Sequence, residues 1–434
     1  MLDSRCSPLL ERLRNSFSEE ALIRARLRIE ILYFIALSRE KAVKELPPVT
    51  PAQEKTLMGI LKGFKTTEAQ KIKEIEEVTR HDVKAVEYEL KDRLEKEPAL
   101  RAHTAFLHFG LTSEDVNNLA YGILVHDALC GLIVPNIEDL LSRLMSLAMS
   151  LNDAPLLSLT HGQPATPTTM GKELRVFASR LERQLGMLRG FRMQGKLGGA
   201  VGTLSAHRVA YPRVDWEGFR QRFVSGLGLI PLEYTTQINP HDDLAELSHL
   251  MIRINTILLD MSRDLWLYIS RGIFRQKVIA GEVGSSTMPH KINPIDFENA
   301  EGNLGLSTAL FTHFAEKLPV SRLQRDLSDS TVQRSLGVAF GYHVLAVQAH
   351  GGGLSKLTLN AKAANSELQA HPEVWSEAIQ TVLRKHGVKG AYEKLKTLTR
   401  GEKVTWEGMR SFVRGLAIDT ADKQALIKLL KKGE

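Results

Sequence analysis

The segment at residues 281–294, GEVGSSTMPHKINP, combines glycines with side chains that could do chemistry. It carries two hydroxyls, Ser285 and Ser286, followed by a cation, Lys291, and an amide, Asn293. Backbone N–H groups left open by glycine, together with hydroxyls and a cation, suit a carboxylate that gains negative charge during a reaction. The alternative is a turn between helices with an exposed lysine, and the spacing alone leaves both interpretations open.

A second segment, THGQPATPTT at residues 160–169, places His161 beside Thr160 in a stretch rich in proline. The prolines and the glycine predict a loop. Histidine exchanges a proton easily near neutral pH, because its ordinary pKa is about 6.5. The sequence contains 14 histidines, so the alternative is that His161 is structural or merely exposed.

Other kinds of active site lack their sequence signatures. There is no HExxH or CxxC pattern for a metal, no GKS or GKT phosphate loop and no GxSxG elbow. The glycine-rich stretch at residues 195–202, GKLGGAVG, is a weak phosphate signal because its surroundings are helical. The sequence therefore predicts neither a metal nor a cofactor.

Composition argues against several kinds of partner. The chain has 434 residues, 43% hydrophobic and 25% charged, and its two cysteines are too few for a disulfide framework. Its net charge of +7 resides in residues 384–434, which hold 13 Lys and Arg against 6 Asp and Glu. Such a tail is typical of a solvated helical surface rather than of a nucleic-acid partner. No uncharged apolar stretch reaches the roughly 18 residues needed to cross a bilayer, and no secretory signal is seen at the start of the chain. We therefore expect a cytoplasmic protein with no membrane partner.

The hydrophobic pattern is helical almost throughout, which predicts an all-α fold. Apolar residues recur at helical spacing in two long stripes: Ile137, Leu141, Leu144, Ala148 and Leu151, then Leu174, Phe177, Leu181, Leu185 and Leu188. Pro135 predicts the start of the first helix, residues 21–37 and 247–267 predict two more, and Gly351–Gly353 predict a break at the end of a helical bundle. We divide the chain into an N-terminal helical domain (1–101), a central helical bundle (102–355) and a basic C-terminal domain (356–434).

Taken together, these segments resemble the fumarase/aspartase superfamily, whose signature loop is similar to GSSTMPHKINP. Within it the chain resembles the adenylosuccinate lyase family in its bacterial long form, in the same order over nearly its whole length. The similar segments are residues 81–87, 112–115, 160–167, 234–237, 296–299, 321–334 and 392–401. The resemblance implies a three-domain, all-α fold and a homotetramer in which loops of three different subunits build each active site.

The resemblance also implies a reaction, the β-elimination of fumarate from a succinylated amine. Its two substrates are adenylosuccinate, which gives AMP, and succinylaminoimidazole carboxamide ribotide, which gives AICAR, both in purine nucleotide biosynthesis. By resemblance, Ser285 is the general base, His161 the general acid, and Glu298 the carboxylate that orients the histidine. His81, counted with these catalytic residues, forms with Asp82 a pair at the phosphate or leaving-group side.

Further residues are implied to bind the substrate. For the succinyl carboxylates these are Ser286, Met288, Lys291, Asn293, Thr112 and Ser113; for other polar groups, Thr160 and Gln237; and for the phosphate, Arg5, Arg325, Ser330 and Arg334. Arginine suits a phosphate because its planar guanidinium is always charged and can donate two parallel hydrogen bonds. Thr112 and Ser113 could equally cap the helix that begins with Glu114 and Asp115.

The sequence departs from the family pattern at a few positions. Cys6 stands in place of a tyrosine and Arg80 in place of an asparagine, and Gly198, Thr203 and Ser205 replace asparagines. None of these changes removes a catalytic group, so they bear on substrate affinity more than on reaction type.

Three other functions remain alternatives. The same fold could act on another leaving group, as in argininosuccinate lyase, fumarase or aspartase, although residues 235–242 and 321–331 point to a phosphorylated nucleotide. The chain could be a structural or binding protein descended from a lyase. The basic tail could bind nucleic acid, for which a steep salt dependence would be expected.

Overall fold

A computed structural model describes residues 7–279, 281, 287–288, 290–399 and 404–433. Ser285, Ser286 and Arg5 lie outside the described residues, as does Cys6. The chain divides into two compact units, each assembled from separated stretches. The first unit comprises Met1–Asp139, Arg183–Leu259 and Ala300–Gln348, and the second comprises Leu140–Glu182, Asp260–Asn299 and Ala349–Glu434.

Most of the described chain is α-helical, as the sequence predicts. The helices are α1 (Glu11–Phe17), α2 (Glu19–Ser38), α3 (Pro51–Lys62), α4 (Thr66–Thr79), α5 (Asp82–Glu95), α6 (Ser113–Ala128), α7 (Val134–Ser150), α8 (Met170–Gly190), α9 (Ser205–Ala210), α10 (Trp216–Gly226), α11 (Asp242–Ser270), α12 (Ile295–Lys317), α13 (Ser328–Gln333), α14 (Leu336–Lys356), α15 (Ala361–Gln369), α16 (Ser376–Lys385), α17 (Ala391–Thr399), α18 (Trp406–Arg414) and α19 (Thr420–Gly433). Short 3-10 helices occupy Ser7–Leu10, Arg101–Phe106 and Pro372–Trp375, and a π-helical turn occupies Leu129–Ile133.

The described strands are short and pair two by two. They are β1 (Pro155–Thr160) with β2 (Gln163–Thr169), β3 (Gln194–Gly195) with β4 (Ile230–Pro231), and β5 (Phe274–Gln276) with β6 (Leu357–Leu359). The first and third pairs are antiparallel and the second is parallel. Because no described sheet exceeds two strands, the helices and not the sheets supply the core.

Two helices of the first unit are buried on nearly all sides. In α2, 14 of 20 residues are buried, and in α6, 13 of 16. A helix that is apolar all round needs neighbours on every face, and α2 packs against each of the helices α1, α3, α4, α5 and α6. The ring of Tyr33 in α2 meets Phe219 and Phe223 edge to face, with centroids 5.7 Å apart. Helix α2 therefore confirms the helix predicted over 21–37 and is central to the first unit.

The prediction that a helix starts at Pro135 is wrong, because α6, the π-helical turn and α7 form one continuous run from Ser113 to Ser150. Proline has no N–H, so the carbonyl of Gly131, four residues earlier, loses its helical partner. The guanidinium of Arg12 donates a hydrogen bond to that carbonyl at 2.8 Å instead. The π-helical turn just before Pro135 is the local irregularity that lets the helix pass through a proline.

The run Ser113–Ser150 is also the one described helix that is long and apolar enough to cross a membrane by length and composition. The mean hydropathy of its most apolar window is 1.4, and 56% of that window is buried inside the structure. The core helix of a soluble protein passes the same test, so this run by itself is weak evidence for a membrane span.

The other long helices follow the predicted stripes. Helix α11 covers the segment predicted over 247–267. The stripe predicted in α8 is buried at all five positions: Leu174, Phe177, Leu181, Leu185 and Leu188. In the second unit the C-terminal helices α16–α19 enclose a core of their own, formed by Ile379, Leu383, Ala391, Leu395, Met409, Val413, Leu426 and Leu430. The basic residues of this region therefore lie on helices that share an apolar core.

Residues 160–169 do not form the predicted loop. They belong to the antiparallel hairpin of β1 and β2, whose register pairs Thr160 with Gln163 and leaves His161 and Gly162 at the tip. Both tip residues have positive φ, 54° for the histidine and 73° for the glycine. Two residues with positive φ are what a tight two-residue hairpin turn requires.

The predicted break at Gly351–Gly353 is also absent, since α14 continues to Lys356. A Cβ added to Gly353 would come within 2.7 Å of the Phe297 ring. The glycine therefore allows a close approach between helices and does not form a turn.

A fully enclosed ion pair joins the first turn of α6 to the glycine-rich stretch at residues 195–202. Lys196 Nζ lies 2.7 Å from Asp115 Oδ1, and neither side chain is exposed. Asp115 also accepts hydrogen bonds from the backbone N–H groups of Thr112, Gly198 and Gly199, and Lys196 donates one to Gly199 O. Such additional hydrogen bonds are what can offset the cost of removing two charges from water.

We predict that Asp115→Asn destabilises the folded chain by about 3–5 kcal/mol, because it leaves Lys196 buried without a counterion. Denaturant unfolding followed by circular dichroism measures the change. The matched control is Asp92→Asn, which removes an exposed pair with Lys96 and should leave the unfolding midpoint unchanged. Equal midpoints for the two variants would show that the buried pair does not stabilise the first unit.

Candidate active site

The N-terminus of α6 presents two hydroxyl side chains. Thr112 is the N-cap residue, and Asp115 accepts a hydrogen bond from its backbone N–H at 2.8 Å. Ser113 is the first helical residue, and its Oγ lies 3.4 Å from Nε2 of His81. The same residues thus begin the helix and offer hydroxyls at the positive end of its dipole, where an anion is favoured.

His81 is held in one orientation by the helix that follows it. Its Nδ1 accepts a hydrogen bond from the backbone N–H of Lys84 at 3.2 Å, so His81 caps α5. In a neutral ring the proton must then sit on Nε2, the nitrogen that faces Ser113. The preceding Arg80 has a φ of 54°, a left-handed conformation that asparagine adopts more readily than arginine. This explains in physical terms the asparagine expected at that position.

Asp82 lies between two arginines. Arg26 Nη2 is 2.6 Å and Arg334 Nη2 is 3.3 Å from Asp82 Oδ2, and Arg26 also donates to Asn117 at 2.8 Å. Partial burial disfavours the ionised form, but Arg26, the Val83 backbone N–H and Arg334 outweigh it, and the pKa of Asp82 is lowered. Arg26 is buried whereas Arg334 is half exposed, so Arg334 has a face available to an anion.

Arg325, Ser330 and Gln237 form a second polar group. Arg325 donates to Ser330 Oγ at 3.1 Å and to Gln237 Oε1 at 3.4 Å. The amide nitrogen of Gln237 donates to Ala200 O at 2.9 Å, which leaves its oxygen directed at the guanidinium. A guanidinium beside a hydroxyl is a suitable pair of donors for a phosphate.

The remaining expected site residues lie in the second unit. Thr160 and His161 are exposed at the tip of the β1–β2 hairpin. Met288 and Lys291 are exposed and Asn293 is partly buried, all ahead of α12, and the Lys291 backbone N–H donates to Met288 O at 3.0 Å. Glu298, in the first turn of α12, accepts a hydrogen bond from Trp266 Nε1 at 3.0 Å.

The described site residues fall into groups, some in each unit. The first unit holds His81, Asp82, Thr112, Ser113, Gln237, Arg325, Ser330 and Arg334, and the second holds Thr160, His161, Met288, Lys291, Asn293 and Glu298. Among the described hydrogen bonds and ion pairs, Glu298 accepts a hydrogen bond from Trp266 and has no contact with His161.

The sequence reasoning missed a set of buried charged residues beside these groups. Glu114, His241 and Asp329 are each about 1% exposed, and Arg325 Nη2 lies 3.5 Å from Glu114 Oε2. Burial raises the pKa of Glu114 to about 7, although His241, Arg325 and Lys196 act in the opposite direction. The sequence did hold one signal, which was their position beside expected site residues. Glu114 directly follows Ser113, and Asp329 directly precedes Ser330.

His108, three residues before Leu111, is another titratable residue that the sequence reasoning passed over. Its Nδ1 lies 2.6 Å from Oε1 of the fully buried Glu30. Desolvation would lower the pKa of His108, but the hydrogen bond and charge of Glu30, with smaller contributions from Glu87 and Asp115, raise it overall. The sequence signal was weak: a glycine, Gly110, two residues after His108. In the structure His108 has a φ of 53° and Gly110 a φ of 69°.

Two groups of described residues could in principle hold a metal ion. One is Glu114, His241 and Asp329, and the other is His386, Asp419 and Asp422. The first already has cations of the protein beside it, Arg325 and Lys196. In the second, Lys385 Nζ and His386 Nε2 lie 2.6 Å and 2.7 Å from Asp422 Oδ2. Both groups are therefore explained by ion pairs within the chain.

Comparison with known proteins gives the class. A family model described as Lyase matches residues 6–306, and one described as Adenylosuccinate lyase C-terminal matches residues 321–433. Two solved structures share the fold: a 3-carboxy-cis,cis-muconate lactonizing enzyme from Pseudomonas putida (TM-score 0.75, 20% identity, 98% of this chain and 93% of that one) and a fumarate lyase from Mesorhizobium sp. BNC1 (TM-score 0.73, 19% identity, 98% and 94%). The chain is a lyase with the all-α fumarase/aspartase fold.

Curated relatives narrow the class further. Adenylosuccinate lyase of Legionella pneumophila strain Corby is 51% identical over 413 residues, which are 95% of this chain and 91% of that protein. Adenylosuccinate lyase of Escherichia coli K12 is 48% identical over 425 residues (98% and 93%), and that of Dictyostelium discoideum 46% identical over 434 residues (98% and 93%). The chain belongs to the adenylosuccinate lyase family.

The raised pKa of Glu114 predicts a pH dependence of stability. Between about pH 4.5 and 7 the folded chain holds a proton on Glu114 that the unfolded chain has released, so stability falls as pH rises, by up to about 1.4 kcal/mol per pH unit. Glu114→Gln should flatten this fall, measured by denaturant unfolding at pH 5, 6 and 7. Glu89→Gln, which removes a buried carboxylate of α5, should keep the parental slope. A parental slope in Glu114→Gln would contradict the assignment.

Proposed function

We propose that the chain catalyses the β-elimination of fumarate both from adenylosuccinate, giving AMP, and from succinylaminoimidazole carboxamide ribotide, giving AICAR. Family membership supplies the reaction class. The structural observation that supports a nucleotide is the group of Arg325, Ser330 and Gln237, with Arg334 one residue after the end of α13. Guanidinium and hydroxyl donors match a phosphate, which both substrates carry and fumarase or aspartase substrates lack.

The first chemical step removes a proton from the carbon next to a carboxylate. We assign the base to Ser285, whose side chain is too weak an acid to ionise unaided near neutral pH. The segment around it must therefore stabilise an alkoxide, and the glycine-rich backbone and Lys291 are suited to that task. The electron pair left on carbon spreads into the carboxylate as an aci-carboxylate dianion, for which Lys291 and Asn293, with Ser286 and Met288, form the binding groups.

The second step breaks the C–N bond. The electron pair on carbon forms the double bond of fumarate, the C–N pair leaves with nitrogen, and a proton from His161 neutralises that nitrogen. We assign Glu298 to orient the imidazole, as the third member of a catalytic triad orients its base. Both steps are proton transfers with charge stabilisation, so the proposed reaction uses no metal or cofactor.

The remaining assignments concern substrate binding in the first unit. Thr112 and Ser113, at the N-terminus of α6, bind a succinyl carboxylate, where the helix dipole favours negative charge. His81 presents Nε2 to the same region and acts with Asp82 at the leaving-group side, and Gln237 and Thr160 bind other polar groups. Arg325, Ser330 and Arg334 bind the phosphate, with Arg5 as a further contact.

We further propose a cytoplasmic homotetramer whose active sites each combine loops of three subunits. His161 lies at an exposed hairpin tip, and Glu298 contacts Trp266 in its own chain. Residues that must act on one small molecule but meet other partners within a chain suit a site completed by neighbouring subunits. The division into domains 1–101, 102–355 and 356–434 remains part of this proposal.

The direct test is an ultraviolet assay with each succinylated nucleotide, following AMP or AICAR and fumarate. We expect turnover of both substrates by the parental chain. Turnover of argininosuccinate or aspartate with neither nucleotide accepted would overturn the substrate assignment while leaving the lyase class intact.

We predict that Ser285→Ala and His161→Ala each lower kcat by at least about 100-fold while substrate still binds, because each removes one proton-transfer group. The matched control is Ser321→Ala, which removes a serine hydroxyl whose described contact is the backbone N–H of Asp326 and should retain turnover. Stopped-flow or steady-state absorbance measures kcat, and isothermal calorimetry measures binding.

Mixing these two inactive variants should restore part of the activity. If sites combine subunits, hybrid tetramers contain some sites with both groups intact. Subunit exchange is confirmed by native mass spectrometry of differently tagged chains. Exchange without recovered turnover would show that each chain supplies both groups to the same site.

A further inference from the structure

The chain that leads into Thr112 and Ser113 is a tight turn of four residues. The turn runs from His108 to Leu111 and is closed by a hydrogen bond from the backbone N–H of Leu111 to the carbonyl of His108 at 3.2 Å. Its third residue, Gly110, has a φ of 69°. In a four-residue turn, the direction of the central peptide decides whether the third residue has a negative or a positive φ. The direction of this peptide is therefore part of the shape of the turn.

A buried tyrosine holds the central peptide of this turn. The hydroxyl of Tyr33, in α2, donates a hydrogen bond to the carbonyl oxygen of Phe109 at 2.8 Å, and Tyr33 is fully buried. The hydrogen bond that closes the turn uses the carbonyl of His108 and leaves that of Phe109 to the tyrosine. Because a buried carbonyl that loses its donor is costly, the Tyr33 hydroxyl favours one direction of the central peptide.

A buried histidine continues this chain of hydrogen bonds. Nε2 of His207 lies 2.9 Å from the same Tyr33 oxygen, and His207 is 1% exposed. A tyrosine hydroxyl has one proton and the Phe109 carbonyl can only accept, so both contacts are hydrogen bonds when Nε2–H donates to the tyrosine oxygen. Nδ1 then carries no proton, and it has no hydrogen-bond partner among the described residues. Burial lowers the pKa of His207 to about 4, so the ring is neutral near pH 7.

The imidazole of His207 also lies directly against the turn. A Cβ added to Gly110 would come within 2.6 Å of the ring, so a side chain at this position would collide with it. On another side, a Cβ added to Gly199 would lie 3.1 Å from the carbonyl oxygen of Gly110. Asp115 in turn accepts a hydrogen bond from the Gly199 backbone N–H at 3.0 Å. The turn is therefore packed closely between the ring and the glycine-rich stretch.

We propose that Tyr33 and His207 are positioning residues that set the turn at residues 108–111 and thereby place the hydroxyls of Thr112 and Ser113 for a succinyl carboxylate, an inference that rests on the function proposed above. The hydrogen-bond chain runs from His207 in α9 through Tyr33 in α2 to the carbonyl of Phe109. It ties the central peptide of the turn to two helices. Both side chains are buried, so they act on the substrate through the turn.

The alternative is that the two rings only fill the core. Tyr33 meets two phenylalanine rings edge to face, and the ring of His207 lies against that of Trp216 with centroids 4.8 Å apart. Such packing would hold either ring without any hydrogen bond. The two explanations differ in what they predict for a variant that keeps the shape of the side chain and loses its polar atom.

The experiment compares inhibition of adenylosuccinate turnover by fumarate and by AMP, because fumarate carries the carboxylates and AMP the phosphate. Chromatography measures the adenylosuccinate that remains, so neither inhibitor disturbs the assay. Tyr33→Phe keeps the ring and removes the hydroxyl. We expect the inhibition constant of fumarate to rise about tenfold, the size of one hydrogen bond, and that of AMP to change by less than about threefold.

Two variants of His207 separate shape from hydrogen bonding. His207→Gln retains an N–H donor that can reach the tyrosine oxygen, so the inhibition constant of fumarate should stay within about threefold of the parental value. His207→Leu retains an apolar volume without a donor and should behave like Tyr33→Phe. Core filling alone predicts the reverse order, because a buried leucine suits aromatic neighbours better than an amide does.

The matched control is Tyr211→Phe. Tyr211 lies in the same aromatic cluster, with its ring centroid 5.7 Å from that of Phe109, but its hydroxyl donates to Glu45 at 2.9 Å. Removal of this hydroxyl leaves the turn untouched. Tyr211→Phe should therefore leave both inhibition constants at their parental values, and a change equal to that of Tyr33→Phe would contradict the inference.

The outcomes separate this inference from the function on which it rests. Ser113→Ala should itself weaken inhibition by fumarate and spare that by AMP. If it does and Tyr33→Phe has no such effect, or His207→Leu keeps the parental constants while His207→Gln loses them, the positioning role is wrong and the carboxylate assignment stands. If Ser113→Ala leaves inhibition by fumarate unchanged, the carboxylate assignment is wrong and the positioning role falls with it.

Circular dichroism of each variant checks folding. If one of Tyr33→Phe and His207→Leu is unfolded, the other carries the test, since each removes one hydrogen bond of the same chain. Unfolding of both would show that the pair holds the whole first unit and not the turn in particular, which would also overturn the inference.

Discussion

A fully buried ion pair between Asp115 and Lys196 joins the start of α6 to the glycine-rich stretch at residues 195–202. It fixes the start of α6, because the same carboxylate holds the N-cap backbone and the backbone of the glycine-rich stretch after β3. Breaking one partner of such a pair leaves a charge that water cannot reach. The position of Ser113 and of the residues around it therefore depends on two charges that never meet solvent.

Buried charged side chains occur at several places in this unit. Arg26 holds Asp82 at 2.6 Å from within the core, and Glu114 and Asp329 lie beneath Arg325. Arg334 and Arg325, which contact Asp82 and Glu114, are the more exposed members of the two groups. Long, flexible side chains can be aimed in this way at low entropic cost when an anion arrives. The first unit is thus built to present cations and hydroxyls, which is what recognition of a phosphorylated, dicarboxylate substrate requires.

The expected reactive groups of the second unit have different surroundings. His161 lies at a hairpin tip with positive φ, and Glu298 lies on the first turn of a long helix. Proton transfer needs groups that approach the reacting atoms closely, whereas binding a phosphate needs a preorganised cradle. The groups expected to bind substrate lie in the first unit, and the groups expected to transfer protons, His161 and Glu298, lie in the second, so no one segment of the sequence carries all of them.

The sequence by itself determined the helical class, the stripe of α8 and the existence of α2 and α11, since apolar spacing is a local property of the chain. It also supplied the reactive types through the family pattern. It could not determine that α6 and α7 are one helix, because the partner of the Gly131 carbonyl, Arg12, is 119 residues away. Nor could it distinguish the hairpin at residues 160–169 from a loop, because strand pairing depends on register in three dimensions. The burial of Glu114, Lys196 and His241 was decided by tertiary structure alone, because it depends on which distant residues exclude water from these side chains.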